Sequence, residues 1–314
     1  MISKLKPIYD FKRKTALKDS HITKLVYREK EPYQLYTATS DGSVQLWLDD
    51  QEETFSKEPI KSYELHTDYI EELVYSESYF LTCSRDNILK LVNPESGDPV
   101  TFLGHTDDVL SCDISEKHKR IISTGKDKTI RIWDLEGNLV HTLDKQTHSK
   151  QINEIKYIPL ENERMITCSN DHKIKIWDIE SNVCISELTS HQNPVTVIET
   201  SPDGTLLASC DSLGMISLYD LELFHLLYSL EIESECYQIK YNPVKFEASI
   251  LTMDGILNWN IEKKEFIGSI QCNGNNKSVI SPDNMITTFD YSPNGSSIFT
   301  GSANGKIKQY TLNN

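Results

Sequence analysis

Short segments in which apolar and polar residues alternate recur along the chain, and each ends in a large apolar residue. Three of them have nearly the same form, Asp41–Trp47, Asp127–Trp133 and Asp171–Trp177. Each begins with an aspartate, continues through a short turn and then alternates with the period of two that is typical of a half-buried β-strand. Weaker copies end at Val92, Tyr219, Trp259 and Tyr310. Because the successive ends lie 45, 41, 44, 42, 40 and 51 residues apart, the sequence predicts seven similar β-units.

Other polar positions support this register. Ten residues before each segment end stands a hydroxyl residue, in order Thr37, Thr82, Ser123, Thr167, Ser209, Ser249 and Thr300. Six residues before the end stands an aspartate in four units, Asp41, Asp86, Asp127 and Asp171, and elsewhere Leu213, Met253 and Asn304. A histidine precedes this position by 20 to 23 residues in units one to five, namely His21, His66, His105, His148 and His191.

These four residue types can form one hydrogen-bonded network. An imidazole can donate one N–H to the carboxylate and use its other nitrogen toward the hydroxyl, which can also accept the indole N–H. Units three and four contain the full set, His105, Ser123, Asp127 and Trp133, and His148, Thr167, Asp171 and Trp177. A hydrolase triad would use similar residues, but a catalyst needs one nucleophile and one oxyanion site, whereas here the trio recurs. We therefore interpret both sets as structural tetrads, predict no catalytic residue, and expect units six and seven to lack the network.

A period of this length with these residues resembles the WD-repeat signature, in which each unit is a four-stranded propeller blade. The predicted fold is all-β, a seven-bladed WD40 β-propeller. The last unit has three strands, so a strand near Ile8–Phe11 is predicted to supply the fourth and close the ring. We expect a single domain over residues 7–313, with residues 273–284, rich in turn formers, as a surface loop.

Composition narrows the class of protein. The chain has 314 residues with a net charge of -15, 38% hydrophobic residues and no apolar run near the roughly 18 residues of a membrane span. Its N-terminus has no apolar core for a signal peptide, so we expect a cytoplasmic protein without a membrane partner. The seven cysteines are at least 16 residues apart, which favours buried thiols over a metal site or disulfides. We expect no metal and no cofactor.

Three segments add a resemblance to one WD-repeat family. Gly104–Leu143, Ser190–Asp211 and the C-terminal residues from Ser292 resemble the receptor for activated C kinase, a G-beta-like scaffold. The resemblance implies a non-catalytic scaffold on the small (40S) ribosomal subunit near the mRNA exit, bound to rRNA and ribosomal proteins. It also implies partners among signalling kinases, protein kinase C included, and translation factors, without a small-molecule substrate.

The sequence departs from that family at the first turn. There the family contacts RNA through an Arg-Asp-Lys turn, whereas this chain has Ser40-Asp41-Gly42. Basic residues elsewhere can replace it, since residues 1–30 have nine basic and three acidic side chains and the rest of the chain carries -21. The predicted rRNA-binding residues are Lys12, Arg13, Lys14, Lys18, Arg85, Lys126 and Lys128. Lysines in turns can also be simply solvated.

Other functions remain open. A WD-repeat adaptor in a non-ribosomal complex, for RNA processing or ubiquitin ligation, fits the same fold. A G-protein beta subunit is disfavoured, because its long coiled-coil helix before the propeller has no counterpart here. A propeller enzyme is disfavoured, because no acidic or metal-binding cluster converges in the predicted inner strands.

Overall fold

A computed structural model describes residues 9–16, 21–28, 33–48, 56, 58–144, 147–159, 163–271 and 285–312. For residues 9–16 and 312 it describes the backbone. Within these ranges the chain forms strands joined by turns, and none of them contains a helix that could cross a membrane. The predicted surface loop at 273–284 lies outside the described residues.

The strands follow one another along the whole described chain. They are β1 (Tyr9–Ala16), β2 (Ile22–Arg28), β3 (Gln34–Thr39), β4 (Ser43–Leu48), β5 (Lys61–Glu64), β6 (Ile70–Tyr75), β7 (Phe80–Ser84), β8 (Ile88–Val92), β9 (Pro99–Leu103), β10 (Val109–Ser115), β11 (Arg120–Gly125), β12 (Ile130–Trp133), β13 (Leu139–Leu143), β14 (Ile152–Tyr157), β15 (Arg164–Ser169), β16 (Ile174–Asp178), β17 (Val183–Leu188), β18 (Val195–Thr200), β19 (Leu206–Asp211), β20 (Met215–Asp220), β21 (His225–Glu231), β22 (Cys236–Tyr241), β23 (Glu247–Thr252), β24 (Gly255–Asn260), β25 (Glu265–Gln271), β26 (Ile286–Tyr291), β27 (Ser297–Ser302) and β28 (Lys306–Leu312).

These strands form seven four-stranded antiparallel sheets. Blades one to six each consist of four consecutive strands, from β2–β5 to β22–β25, and blade seven has the order β1-β28-β27-β26. We name the strands of a blade A to D in the order of pairing, with β26 as strand A and β1 as strand D of blade seven. The predicted fold class, an all-β seven-bladed propeller, is confirmed.

The same tight turn joins strands B and C in most blades. The residue after the aspartate position has a positive φ, at Gly42, Asn87, Lys128, His172, Gly214 and Gly305. The aspartate side chain caps this turn by accepting a backbone N–H two residues on, as Asp127 does from Thr129 at 3.0 Å. This geometry explains why an aspartate followed by a small or polar residue recurs in the sequence.

Contacts group the chain into two compact units. Unit 2, residues 71–236, holds blades two to five, and unit 1, residues 1–70 and 237–314, holds blades one, six and seven. Within each unit the core lies between neighbouring blades. In unit 2, for example, Ile174 and Ile176 of blade four pack in one cluster with Ile198 and Leu207 of blade five. Assignment of the whole chain to a single domain stays a prediction.

Hydrophobic clusters in unit 1 follow the same rule. Trp47 of blade one packs in one cluster with Phe299 and Ile307 of blade seven. Leu251 of blade six belongs to another cluster with Phe289 of blade seven. Within a unit, neighbouring blades therefore bury their apolar side chains against each other rather than within a closed core of their own.

Hydrogen bonds also join the A strands of adjacent blades. The Tyr157 N–H donates to Asp113 Oδ2 at 2.8 Å, and the Ile198 N–H donates to Glu154 Oε2 at 2.7 Å. In unit 1 the Tyr27 N–H donates to Asp290 Oδ2 at 3.0 Å. The buried strand A amides thus have acceptors that the blade's own sheet does not supply.

Lys156 balances the negative charge along these A strands. Burial lowers the pKa of Lys156, but the carboxylates of Glu72, Glu154, Glu199 and Asp113 outweigh this effect and hold that pKa well above its usual value. Its ammonium lies 3.6 Å from Glu154 Oε1. The ammonium therefore stays charged and neutralises part of the acidic cluster.

Strand β1 is the fourth strand of blade seven. It pairs antiparallel with β28 from Tyr9 opposite Leu312 to Ala16 opposite Lys306, with a bulge between Phe11 and Arg13. It is longer than the segment near Ile8–Phe11 that the sequence suggests. Closure of the whole ring by this strand stays a prediction.

Deletion of residues 1–16 tests this role. Strand β28 then loses one of its two neighbours, so we expect faster hydrogen exchange of its backbone amides, measured by mass spectrometry on the peptide 306–312. The peptide 120–125, from β11 in unit 2, serves as the control. Unchanged exchange in 306–312 would contradict the pairing.

Candidate functional site

In blades three and four one end carries the predicted network, and the same end of blades two and three carries the predicted basic residues Arg85, Lys126 and Lys128. There the B–C turn meets the loop before strand A. In blade three the Lys126 N–H donates to the Asp108 carbonyl at 3.0 Å. Matching bonds join the turn and loop in other blades, Asn170 to Gln151, Ser212 to Pro194, Ser40 to His21 and Ala303 to Met285. We call the end of a blade at which its B–C turn lies the histidine face of that blade.

Close packing holds the turn and the loop of blade three together. A Cβ added at Gly125 would lie 2.0 Å from the Asp108 carbonyl oxygen. A larger residue there would separate the two segments. Glycine at this position therefore allows the approach on which the blade three network depends.

The four predicted side chains of blade three lie together. His105 Nδ1 is 2.7 Å from Asp127 Oδ2, and His105 Nε2 is 2.7 Å from Ser123 Oγ. The Trp133 indole N–H donates to the same Ser123 Oγ at 2.9 Å. With a proton on Nδ1, the imidazole donates to the carboxylate and accepts from the serine hydroxyl, so each polar atom of the set has a partner.

Blade four repeats this arrangement. His148 Nδ1 is 2.9 Å from Asp171 Oδ2, and its Nε2 is 2.9 Å from Thr167 Oγ1. The Trp177 indole donates to Thr167 Oγ1 at 2.9 Å. The Ser149 N–H adds a bond to the Asp171 carboxylate at 3.0 Å, so the carboxylate joins the turn, the loop and the imidazole.

Both aspartates are held in the ionised form. Burial raises the pKa of Asp127, but the hydrogen bond and charge of His105, with donors from Thr129, outweigh it and lower that pKa to about 2. Burial likewise raises the pKa of Asp171, and His148, Ser149 and Lys173 bring it down to about 2. A carboxylate that accepts several hydrogen bonds in the folded state resists protonation.

The geometry of blade three supports a structural role for the set. Ser123 is completely buried, with 0% exposure, and its Oγ is already bonded to both an imidazole and an indole. A substrate has no path to that oxygen, whereas a nucleophile must reach one. The arrangement instead ties two strands, a turn and a loop together.

Blade five has a network that the sequence analysis missed. Leu213 occupies its aspartate position and is 68% exposed. His191 instead contacts Asp211, two residues earlier, with Nδ1 3.3 Å from Oδ2 and Nε2 2.7 Å from Ser209 Oγ. The Asp211 carboxylate also caps the turn by accepting from the Leu213 N–H at 3.0 Å. The sequence contains a sign of this network, because Asp211 lies two residues before the position where the other units have their aspartate.

Burial affects the histidine of blade five differently. It lowers the pKa of His191, and the hydrogen bond and charge of Asp211 only partly oppose this. The imidazole therefore stays neutral near neutral pH. Tyr219, in place of the tryptophan, contacts Ser190 through its hydroxyl.

Two other blades depart from the predicted pattern. In blade one Trp47 donates to Thr37 Oγ1 at 3.0 Å, while His21 is exposed. In blade six Ser249 Oγ lies 2.7 Å from Asn258 Oδ1 and 2.6 Å from the hydroxyl of Tyr291, which belongs to blade seven. No histidine or aspartate takes part in these bonds of blade six, where Asn258 and Tyr291 bond the serine instead.

The basic residues Arg85 and Lys126 lie on the histidine face, each beside an acid. Arg85 Nε is 2.5 Å from Glu71 Oε1, and Lys126 Nζ is 2.6 Å from Asp108 Oδ2. Their side chains are 46% and 42% exposed. The hydrogen bond that Lys126 donates to Asp108 raises the pKa of Lys126, and burial and the positive charge of Arg85 oppose that rise. The sequence analysis missed both acidic partners.

The remaining predicted basic residues differ in position. Lys128 is exposed on the blade three turn with φ of 63°. Lys12, Arg13 and Lys14 lie in β1, where the backbone of Lys14 is opposite Lys308. The end of β1 adjoins the B–C turn of blade seven, which is on that blade's histidine face. Lys18 lies outside the described residues.

Substitution of Trp133 by phenylalanine tests the tetrad of blade three. The change removes the indole donor to Ser123 while it keeps an aromatic ring, so we expect the free energy of unfolding to fall by about 1–3 kcal/mol. Urea denaturation monitored by far-ultraviolet circular dichroism measures it. An unchanged midpoint would contradict the assigned bond.

A second prediction concerns pH. Because the pKa of Asp127 is about 2 in the folded protein and its ordinary value is 3.8, its ionised form adds stability that is present above pH 4 and is lost as the pH falls toward 2. The stability difference between the wild type and Asp127→Asn should therefore shrink across this range. Urea denaturation at stepwise pH measures it, with the exposed Asp144→Asn as control. A constant difference would contradict the assignment.

Comparisons with known proteins agree with this architecture. The family model described as "WD domain, G-beta repeat" matches residues 97–134, 137–178, 182–220 and 274–311, together half of the chain. The solved structure "Crystal structure of WD40 beta propeller domain of Doa1" is similar with a TM-score of 0.80 at 22% identity, over 97% of each chain. That identity shows the fold alone.

Among curated proteins, "Small ribosomal subunit protein RACK1z" of Arabidopsis thaliana is 28% identical over 137 residues, 40% of this chain and 42% of that protein. The chain thus spans about two fifths of the length of the first curated relatives that it matches. "Small ribosomal subunit protein RACK1" of Schizosaccharomyces pombe is 29% identical over 67% of this chain and 80% of that protein. On the family match, the chain belongs to the WD-repeat family, whose propellers generally act as scaffolds and not as catalysts.

Proposed function

We propose that this protein is a non-catalytic cytoplasmic scaffold that docks on the small ribosomal subunit near the mRNA exit. There it would link signalling kinases and translation factors to the ribosome. The observation that carries this proposal is the exposure of Arg85, Lys126 and Lys128 on the B–C turns of two successive blades. Similarity to two proteins named as small ribosomal subunit proteins supports it.

The first blade contributes little positive charge to such a contact. In its turn Asp41 accepts from the Thr39 hydroxyl at 2.6 Å and from the Ser43 N–H at 3.1 Å, which are turn contacts. In unit 2 the proposed contact would therefore rest on blades two and three, and the basic residues of β1 in unit 1 are a separate candidate. Their positive charge suits the phosphate backbone of rRNA.

The acidic partners of Arg85 and Lys126 would tune this binding. An exposed ion pair is worth about 0–1 kcal/mol, so a phosphate can displace Glu71 or Asp108. The displaced carboxylate still lies near the phosphate and repels it. Removal of either acid should accordingly strengthen rRNA binding if its basic partner contacts phosphate.

A WD-repeat adaptor in a non-ribosomal complex is the second candidate. The pairing of Arg85 with Glu71 and of Lys126 with Asp108 favours it. A surface of alternating charges suits a protein partner at least as well as RNA. The net charge of -15 points the same way.

Sucrose-gradient sedimentation with small ribosomal subunits distinguishes the two candidates. Charge reversal by Arg85→Glu with Lys126→Glu, or by Lys14→Glu with Lys18→Glu, should release the protein. For every phosphate that a variant no longer binds, the slope of log affinity against log salt should also fall by about 0.9. Each pair is tested separately.

Two further variant sets sharpen the test. Glu71→Gln and Asp108→Asn should strengthen binding, because each removes an acid beside a proposed phosphate contact. Lys263→Glu with Lys264→Glu is the matched control, since these residues follow strand C of blade six and lie at the end opposite its B–C turn. Equal loss of binding in the control set would indicate a non-specific charge effect. No co-sedimentation would favour the adaptor.

A further inference from the structure

A cavity of about 500 Å³ opens in unit 2, at the end of the blades opposite the histidine face. It lies where strands A of blades three and four end and their A–B turns begin. In blade three the A–B turn precedes β11 and the B–C turn follows it, so the two turns lie at opposite ends of that strand. The cavity is therefore separate from Lys126 and Lys128 on the B–C turn. Ile114 and Ile158, both nearly buried, form apolar walls.

Two polar atoms at this cavity are shielded from solvent and lack a hydrogen-bond partner among the residues that the structure describes. They are the Tyr157 hydroxyl oxygen and Glu163 Oε1. The other Glu163 oxygen, Oε2, lies 3.9 Å from His118 Nδ1, beyond hydrogen-bond distance. Buried polar groups in folded proteins nearly always have partners, so two such atoms in one cavity point to a ligand that supplies them.

The chemistry of the cavity favours a cationic donor. Asp113 and Glu163 are carboxylates, and both face the same space. Burial raises the pKa of the Tyr157 phenol well above its usual value, and the charges of Asp113 and Glu163 add to the rise. Tyr157 is therefore a neutral hydroxyl that can accept a hydrogen bond beside two acids.

Two basic residues, Lys117 and His118, also line the cavity. Lys117 is exposed, and the half-buried His118 imidazole lies too far from Glu163 Oε2, at 3.9 Å, for a hydrogen bond. The positive charge of Arg120 lowers the pKa of Tyr157, but burial and the two carboxylates outweigh it. The Tyr157 hydroxyl and Glu163 Oε1, which have no partner among the described residues, thus determine which chemical group the cavity can bind.

We propose that this cavity binds an arginine side chain from an exposed segment of a protein partner. The guanidinium would donate to Glu163 Oε1 and to the Tyr157 hydroxyl, and its planar set of five donors suits a carboxylate and a neighbouring oxygen. The three methylene groups would pack on Ile114 and Ile158. The volume admits this side chain together with part of its backbone, and the net charge of -15 attracts basic segments.

Methyl NMR titration of the full chain with the peptide acetyl-Ala-Arg-Ala-amide tests the proposal. With the isoleucine δ-methyl groups labelled, saturable shifts are expected at Ile114 and Ile158, assigned through Ile114→Val and Ile158→Val. Peptides with lysine, glutamine or glutamate in place of arginine are the comparison. Arginine should bind most tightly, lysine more weakly, and the other two should cause no shift at about 10 mM.

Two variants link the binding to the unpartnered atoms. Glu163→Gln should weaken arginine binding at least about tenfold, because it removes the charge of the acceptor. Tyr157→Phe should weaken binding by a smaller factor and leave the melting temperature unchanged or higher, since the deleted hydroxyl has no partner in the part of the chain that the structure describes. Glu180→Gln, on the exposed turn after β16, is the matched control and should bind like the wild type.

Several results would overturn the proposal. They are an absence of shifts at the cavity isoleucines with the arginine peptide, equal shifts with the glutamine peptide, or unchanged affinity in Glu163→Gln. Tighter binding of the glutamate peptide would assign the cavity to an acidic ligand instead. Since ribosome sedimentation does not enter this measurement, its outcome is independent of the proposed ribosomal contact.

Discussion

A four-stranded sheet has two faces, and no blade of this protein can bury both of them by itself. The apolar clusters accordingly lie between blades, as where Ile174 of blade four packs with Leu207 of blade five. The same constraint governs the polar groups, because the Ile198 N–H of blade five depends on a carboxylate oxygen of Glu154 in blade four. Each blade is thus completed by the next within its unit, which is how repeat architectures obtain stability from neighbours.

Packing between sheets does not fix the turns and loops at the ends of the strands, so hydrogen bonds must hold these segments. In blades three and four a histidine, an aspartate, a hydroxyl and an indole do so, and every polar atom of the set is bonded. Blade five shows that an acid must contact the imidazole and the turn, but that it need not occupy the same sequence position as in blades three and four. There Asp211 reaches both the imidazole and the turn from two residues earlier. Blade six meets the need of Ser249 with Tyr291 from the neighbouring blade.

The sequence predicts the strands, the seven units and the two full tetrads well, because period and local spacing determine them. It fails where a contact does not follow the spacing that the units share. Asp211 was missed because the register placed the acid in the turn, and Glu71 and Asp108 because their pairing with Arg85 and Lys126 depends on how loop and turn meet. Tyr157 and Glu163 look like ordinary residues at strand ends, and only packing shows that a buried oxygen of each lacks a partner among the described residues.

The two ends of the blades in unit 2 therefore offer different starting points for binding. At the histidine face, Arg85 and Lys126 already have acidic partners. The net free energy of phosphate binding there is only the difference between the new ion pair and the ion pair that it replaces. In the cavity between blades three and four, the Tyr157 hydroxyl and Glu163 Oε1 have no hydrogen bond to any described residue that a ligand would have to replace. The folded chain already bears the free-energy cost of desolvating these two groups. Nearly the full free energy of a new hydrogen bond to them therefore contributes to ligand binding. By this argument the histidine face suits partners recognised through many weak contacts, whereas the cavity suits a single, specific side chain.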